Sequence, residues 1–550
     1  MPTCGEYLVK LLEAYGVELI FGIPGVHTVE LYRGLPATKI RHVTPRHEQG
    51  AGFMADGYAR ASGKPGVCFI ITGPGMTNIM TAMGQAYADS VPMLVISSVN
   101  ARSQLGMAQG RLHELPSQRG TVAGVAAFSH TLLDPAQLPE VMARAFAVFA
   151  GGRPRPVHIE IPLDVITAEV GTMPAKAWPL PPRAAPDGSA VAAAAKLLRE
   201  AKRPLIIAGG GASDAGAGLA DLAVQLDAPV FTTINGKGVL RPGHPLALNG
   251  NLGMAPLRAE LKLCDVVLAI GTEFGETEMY PEPHAIEIGG TLIRIDIDPL
   301  QLVNNLPADL PIQADAKLAV TALNAALGTG SAVSSAKSKG AKRAASVRRE
   351  VGAVLWPACR IHGAVLRAIT ETLPDAVVAG DQTEPVYAAN QIYEAPRPRS
   401  YFNSSTGYGT LGYGMPAAIG AKLGQPHRPA VCLIGDGGLQ FSLPELASAV
   451  EAQVPVAIVV WNNTGYGEIK TYMADRGIPQ IGVDIHTPDF VAIASGMGCA
   501  ASRPADLAAL RTELKASATR KVPTVLEIQA GSALAHELEM SGSSILRGDK

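Results

Sequence analysis

Short apolar runs alternate with longer stretches of mixed polarity along most of the chain. Residues 67–71 (VCFII), 93–97 (MLVIS), 205–208 (LIIA), 266–270 (VVLAI), 292–297 (LIRIDI), 430–434 (AVCLI) and 456–461 (VAIVVW) are too short for helices. Most are apolar at consecutive positions, which reads as strands covered on both faces. Strands of that kind belong to parallel sheets with crossover helices above and below, and the intervening segments are long enough to supply them. The pattern therefore predicts an α/β protein built of doubly wound parallel sheets.

Two stretches break the alternation. Residues 173–187 (MPAKAWPLPPRAAPD) carry five prolines and predict a stiff connector. Residues 328–349 are rich in Gly, Ser, Ala, Lys and Arg, and read as a second linker with almost nothing to bury. Three blocks result, 1–168, 188–327 and 355–535. The tail from about His536 is polar and reads as a flexible lid or as unordered chain.

Composition narrows the class. At 550 residues the chain is too long for one core. Charged residues are 17% and the formal net charge is −2, so no electrostatic reason exists to expect nucleic acid or an anionic membrane as partner. No apolar run is long enough for a bilayer span, and the first residues, MPTCGE, show no signal-peptide pattern. Six scattered cysteines (4, 68, 264, 359, 432, 499) form no CxxC and read as reduced core residues rather than a disulfide set or a zinc site. The expectation is a large cytoplasmic enzyme.

The candidate chemistry is concentrated in two places. Run 430–434 delivers Gly435-Asp436-Gly437, and run 456–461 delivers Asn462-Asn463, with 24 residues between Gly437 and Asn462. Adjacent parallel strands end side by side, so Asp436 and Asn463 can meet. A carboxylate and an amide carbonyl are hard oxygen ligands, and Mg²⁺ takes about six oxygens while using only one or two carboxylates, leaving room for phosphate. In the first block, Arg46-His47-Glu48 opens a helix of small residues ending in Gly57-Tyr58-Ala59-Arg60. Taken alone, Glu48 reads as a helix-start carboxylate favoured by the dipole, by at most about 1 kcal/mol. His47 beside it reads as a packing residue.

GDG followed by NN at this distance, the RHE-x-x-A-x-x-MA-x-GYAR pattern from Arg46, and Gly407-Tyr408-Gly409-Thr410-Leu411-Gly412 together resemble the thiamine diphosphate (ThDP) enzymes of the acetolactate synthase and pyruvate decarboxylase superfamily. The resemblance touches all three blocks. It implies an N-terminal pyrimidine-binding domain, a central Rossmann-like domain and a C-terminal domain binding diphosphate and Mg²⁺. Glu48 would hydrogen-bond the cofactor's N1′ and so let the 4′-imino group take the proton from thiazolium C2. Asp436, Asn463 and Gly465 would hold Mg²⁺, and Thr383, Glu384, Gly435, Gly437, Gly438 and Tyr466 would surround the diphosphate. Gly409 would meet the 4′-amino group and Leu411 would wedge between the rings. Gly73 and Asn78 match a loop beside the pyrimidine, a place that a tight turn before a helix explains equally well. The two ends of the cofactor would lie on different domains, contributed in this superfamily by two subunits, so a homodimer or homotetramer is implied.

Departures from acetolactate synthase bear on the substrate. Where that enzyme has a Phe-Gln-Glu whose glutamine serves the second substrate, this chain has Leu112-His113-Glu114. Where its flavin-binding domain has an arginine-bearing run, this chain has Gly271-Thr272-Glu273-Phe274-Gly275-Glu276, which suits a flavin diphosphate poorly and predicts an enzyme without FAD. Glu384 and Glu468 offer carboxylates to a cationic substrate tail, a geometry that suits guanidinium. His27 and His113 are the candidates for proton transfer. The resemblance thus implies non-oxidative decarboxylation of a small-molecule 2-oxo acid to an aldehyde through an enamine, with 5-guanidino-2-oxopentanoate as the suggested substrate. Carboligation of two 2-oxo acids is the near alternative, and a non-catalytic ThDP-binding homologue the distant one.

Overall fold

A computed structural model of the chain describes residues 1–279, 286–328 and 337–542. Three six-stranded sheets carry the architecture, and every strand pairing within them is parallel. The first holds β1 (Leu19–Gly22), β2 (Arg41–Val43), β3 (Gly66–Ile70), β4 (Met93–Val99), β5 (Phe128–Thr131) and β6 (Val157–Pro162), in the order β2-β1-β3-β4-β6-β5. The second holds β7 (Pro204–Ala208), β8 (Val230–Thr232), β9 (Ala247–Leu248), β10 (Val266–Ile270), β11 (Thr291–Asp296) and β12 (Leu310–Gln313), in the order β12-β11-β10-β7-β8-β9. The third holds β13 (Val377–Gly380), β14 (Tyr401–Asn403), β15 (Ala430–Gly435), β16 (Ala457–Asn462), β17 (Ala500–Ser502) and β18 (Thr524–Gln529), in the order β14-β13-β15-β16-β18-β17.

The first and third sheets repeat one strand order, 2-1-3-4-6-5, although no repeat is legible in the sequence. In open sheets of this kind ligands bind beyond the carboxyl ends of the strands, where the winding reverses. That point lies between β1 and β3 in the first sheet and between β13 and β15 in the third. Both sheets are sealed to one another through a shared core, with helix Glu48–Ser62 crossing helix Gly414–Gly424. The helices touch backbone to backbone, since a Cβ on Gly57 would stand 2.0 Å from the Ala417 carbonyl and one on Gly420 1.9 Å from that of Met54.

Two expectations are corrected. Within the stretch read as a second linker, residues 329–336 lie outside the described residues, but Lys339–Val354 is a helix. Its Ala344, Val347 and Val351 fall on one face at helical spacing and join the core of the second sheet. The tail from His536 is likewise part of a helix, Ala533–Gly542, which buries Leu534 and Leu538 against the third sheet's core. Residues 543–550 lie outside the described residues. The proline-rich 173–187 segment carries no helix or strand, all six cysteines are buried and unpaired, and no described helix is long and apolar enough to cross a membrane.

Candidate active site

The first half of the site is assembled at the carboxyl ends of β1, β2 and β3. Glu48 is the first residue of its helix, and His47 caps it by accepting the Gln49 N–H on Nδ1 at 3.1 Å. His47 is exposed, so it terminates the helix rather than packing as expected. The turn before it is fixed from the third sheet, because buried Glu445 accepts the backbone N–H groups of Arg46 and His47 at 3.1 and 3.0 Å. Asn78, one turn into helix Pro74–Ala88, donates to Glu48 Oε2 at 2.9 Å. Two residues named from separate motifs thus meet.

Gly73 heads the Asn78 helix with φ +69°, and a Cβ there would stand 2.5 Å from the His113 carbonyl. Only glycine fits both demands. Its N–H donates to the buried Gln118 Oε1 at 2.9 Å. His113 itself sits at φ +60°, rare for a residue with a side chain. Its ring meets His27 edge to face at 5.0 Å, and the Nδ1 of each is buried without a hydrogen-bond partner. Burial, reinforced by the neighbouring His113, holds His27 below the usual histidine range. The two histidines proposed as alternatives are therefore a facing pair.

The second half lies at the carboxyl ends of β13, β15 and β16. Register pairs Gly435 with Trp461, so Asp436 and Asn463 leave the sheet together. Asp436 Oδ2 accepts the Gly465 N–H and the Thr487 hydroxyl, each at 3.0 Å. Burial pushes its carboxyl up, against the pull of those donors. Asn463 Oδ1 lies 3.2 Å from Asp436 Oδ1 and 3.0 Å from the Gly465 carbonyl oxygen. Turning the amide over would place N–H donors between these oxygens. With the carbonyl inward, Asn463 Oδ1 stands by two further acceptors at separations close to the roughly 2.9 Å edge of an octahedron around Mg²⁺. Among the described residues no three His, Cys, Asp or Glu side chains group as a metal site, so this mixed oxygen set is what could hold a hard cation.

Thr383 is buried beside Gly435, Gly438 packs near the Asp381 carboxylate, and the ring of Tyr466 lies over Gly437. Glu384 opens helix Glu384–Ile392 and pairs with the fully buried His362, Nε2 to Oε2 at 3.2 Å. That hydrogen bond, opposed by burial and helped by the contacts with Asn463 and Trp461, holds Glu384 below the usual carboxylate range. Glu468, in the first turn of helix Gly467–Asp475, is pushed up by burial and by the nearby Glu384 charge. The two glutamates named from sequence are thus neighbours, one of them already committed to a histidine. Gly409 has φ +77° and Leu411 is half-buried just beyond it. Gln118, His362 and Thr487 went unrecognised in the sequence, since each acts on a partner at least 22 residues away and none sits in a motif.

Family models for thiamine pyrophosphate enzymes match in three places: the N-terminal TPP binding domain over residues 2–120, the central domain over 191–323 and the C-terminal TPP binding domain over 381–528. The chain belongs to the thiamine pyrophosphate enzyme family. Within it, the chain is 48% identical over 534 residues to a probable 2-ketoarginine decarboxylase, AruI, of Pseudomonas aeruginosa, covering 96% of this chain and 94% of that one. It is 33% identical to a probable acetolactate synthase large subunit of Methanocaldococcus jannaschii, covering 95% and 91%. It is 34% identical to the acetolactate synthase isozyme 1 large subunit of Escherichia coli, covering 84% and 82%. As a thiamine pyrophosphate enzyme the chain has its two cofactor-binding domains on the first and third sheets.

Proposed function

We propose that this protein is a ThDP- and Mg²⁺-dependent decarboxylase of 5-guanidino-2-oxopentanoate (2-ketoarginine), releasing CO₂ and guanidinobutanal. The observation that carries the decarboxylase reading is the Glu48–Asn78 contact facing the same loop as the His27–His113 pair. The substrate rests on Glu468 beside Glu384 and on the likeness to the 2-ketoarginine decarboxylase. When bound, ThDP supplies an electron sink for the carboxylate carbon's departure.

The chain's own residues do the rest. Glu48, held by Asn78, would share a proton with N1′ of the cofactor's pyrimidine. Asp436 Oδ1, Asn463 Oδ1 and the Gly465 carbonyl would hold Mg²⁺, and Thr383, Glu384, Gly435, Gly437, Gly438 and Tyr466 would bind ThDP beside it. The Gly409 carbonyl and Leu411 would position the cofactor. His27 and His113 carry the proton that replaces CO₂, a task suited to imidazole at neutral pH. Glu468 receives the guanidinium, and the His362-bound Glu384 adds negative field behind it.

The active protein is at least a homodimer with each site shared between subunits. Val26 and Leu112 are exposed by the first half-site, and Phe441, Ile469 and Tyr472 by the second, which gives both halves apolar surface to bury against a second copy. No flavin is used. The cavity of about 300 Å³ beside the central sheet is at the small end for a ligand site, and its arginines Arg60, Arg153, Arg183 and Arg399 each pair with a carboxylate.

Carboligation of two 2-oxo acids is the second reading, supported by the acetolactate synthases among the relatives. The test of the decarboxylase reading is CO₂ release from 5-guanidino-2-oxopentanoate, with and without added ThDP and Mg²⁺. Release that requires both is expected. Protein that binds ThDP but frees no CO₂ from this substrate overturns the substrate assignment.

A further inference from the structure

Helix Pro74–Ala88 meets the active-site machinery twice. Its first turns carry Asn78, which holds Glu48. Its last turn and the residue after it, Asp89, reach the loop of the third sheet that contains Gly409 and Leu411. A Cβ on Gly84 would stand 2.5 Å from the Tyr408 ring, so that ring lies directly on the helix. Gln85, completely buried, accepts from both the hydroxyl and the N–H of Thr410, at 3.2 and 3.4 Å. Its own Nε2 donates to Asp89 Oδ2 at 2.6 Å. Asp89 Oδ1 accepts the Thr406 hydroxyl at 2.7 Å, while Arg60 Nη2 grips Oδ2 at 2.5 Å.

The loop is therefore clasped at both ends, at Thr406 by Asp89 and at Thr410 by Gln85, with Gly409 immediately before the second anchor. Arg60 is in turn fixed by Asp56 at 2.6 Å, and Asp56 accepts the Tyr413 hydroxyl at 2.5 Å, just after the loop. Residues more than 300 positions apart in the chain are joined here by groups that are almost wholly buried. A buried amide that satisfies two loop donors fixes their positions more firmly than water could, because any displacement leaves a donor unpaired.

We infer that Gln85 and Asp89 are positioning residues for the cofactor: they set the height and tilt of the Gly409–Leu411 segment that holds the bent cofactor, without touching it. The inference rests on the reading of Gly409 and Leu411 given above. Asp89 is a poor first probe, since removing one member of a buried ion cluster threatens the fold itself. Thr410→Val preserves shape and deletes the hydroxyl half of the link, whereas Gln85→Met removes both contacts with Thr410 together with the one to Asp89.

The experiment measures the ThDP dissociation constant by calorimetry, substrate KM and kcat at saturating ThDP, thermal midpoint, and amide hydrogen exchange of residues 406–411, for wild type, both single variants and the double variant. ThDP affinity is expected to weaken about tenfold in each single variant, the worth of one buried hydrogen bond. The double variant should be no worse than Gln85→Met, loop exchange should quicken, substrate KM should hold, and any fall in thermal midpoint should be too small to account for the lost ThDP affinity. Unchanged ThDP affinity and loop exchange in Gln85→Met, with wild type binding ThDP normally, overturns the positioning role. So do additive losses in the double variant or losses that only follow the thermal midpoint. Wild type that binds no ThDP overturns the cofactor reading instead.

Discussion

Asn78 donates to Glu48 Oε2 across 2.9 Å, at the start of the helix that the RHE motif opens. The contact engages Glu48 Oε2 alone. If Glu48 shares a proton with the pyrimidine, Glu48→Gln should lower kcat by about 10²–10⁴, the range for lost acid–base catalysis. ThDP binding by calorimetry should change far less. Full turnover in Glu48→Gln would remove Glu48 from the mechanism.

The three converging oxygens at Asp436, Asn463 and Gly465 make a prediction about metal. Treatment with EDTA should abolish activity, and Mg²⁺ should restore it. Thr487, which orients Asp436 from behind, should matter less than the ligand itself: Thr487→Val is expected to weaken Mg²⁺ by about 10–100-fold, typical of an orienting partner. Asp436→Ala should be worse. Equal Mg²⁺ titration curves for wild type and Asp436→Ala would displace the cation from this site.

The titration of His27 should depend on the ring of His113. Burial and the facing His113 hold His27 low, so deleting the neighbour must let it rise. In His113→Asn the His27 ring, followed by NMR, should protonate at higher pH than in wild type, and the acid limb of kcat/KM should shift in the same direction. An unmoved ring would mean that the two imidazoles do not interact.

Substrate choice should turn on Glu468. Glu468→Gln removes the charge but little volume, and KM for 5-guanidino-2-oxopentanoate should rise about tenfold or more, as expected for one lost charge-assisted hydrogen bond. A 2-oxo acid with an uncharged chain should be unaffected. Equal losses on both substrates would make Glu468 part of the cofactor site.

Much of this site was legible because its strands are. β15 and β16 are buried on both faces, so they read as unbroken apolar runs, and Asp436 and Asn463 were placed simply by asking where those runs stop. Helix Lys339–Val354 was missed because a few small residues, Ala341, Ala344, Val347 and Val351, do its packing amid Lys and Arg, and composition alone reads that mixture as unfolded chain. The clasp of Thr406 by Asp89 is invisible for another reason: 317 positions separate them, and no local pattern encodes a contact between two sheets. The repeated strand order of the first and third sheets is equally silent, because helix and loop lengths differ between them.

His158 offers a test of the fold apart from catalysis. It is fully buried between the Ser97 and Ser129 hydroxyls, and burial lowers its pKa to about 3. The unfolded chain, with a pKa near 6.5, binds the extra proton first as pH falls, so the stability this residue contributes is present above pH 6.5 and lost below it. By pH 5 the loss amounts to about 2 kcal/mol. Asp381 and Asp296, raised to about 6 by burial, act in the opposite sense, so the comparison must be differential. The stability deficit of His158→Asn in urea should shrink by that amount between pH 7 and pH 5. A constant deficit would mean that His158 is not buried neutral.

The decarboxylase reading meets its sharpest test in mass-spectrometric product analysis of the protein loaded with ThDP and Mg²⁺, given 5-guanidino-2-oxopentanoate and pyruvate in parallel. Guanidinobutanal is expected from the first and little product from the second. Acetolactate from pyruvate, with no guanidinobutanal, would contradict it and make the protein a carboligase.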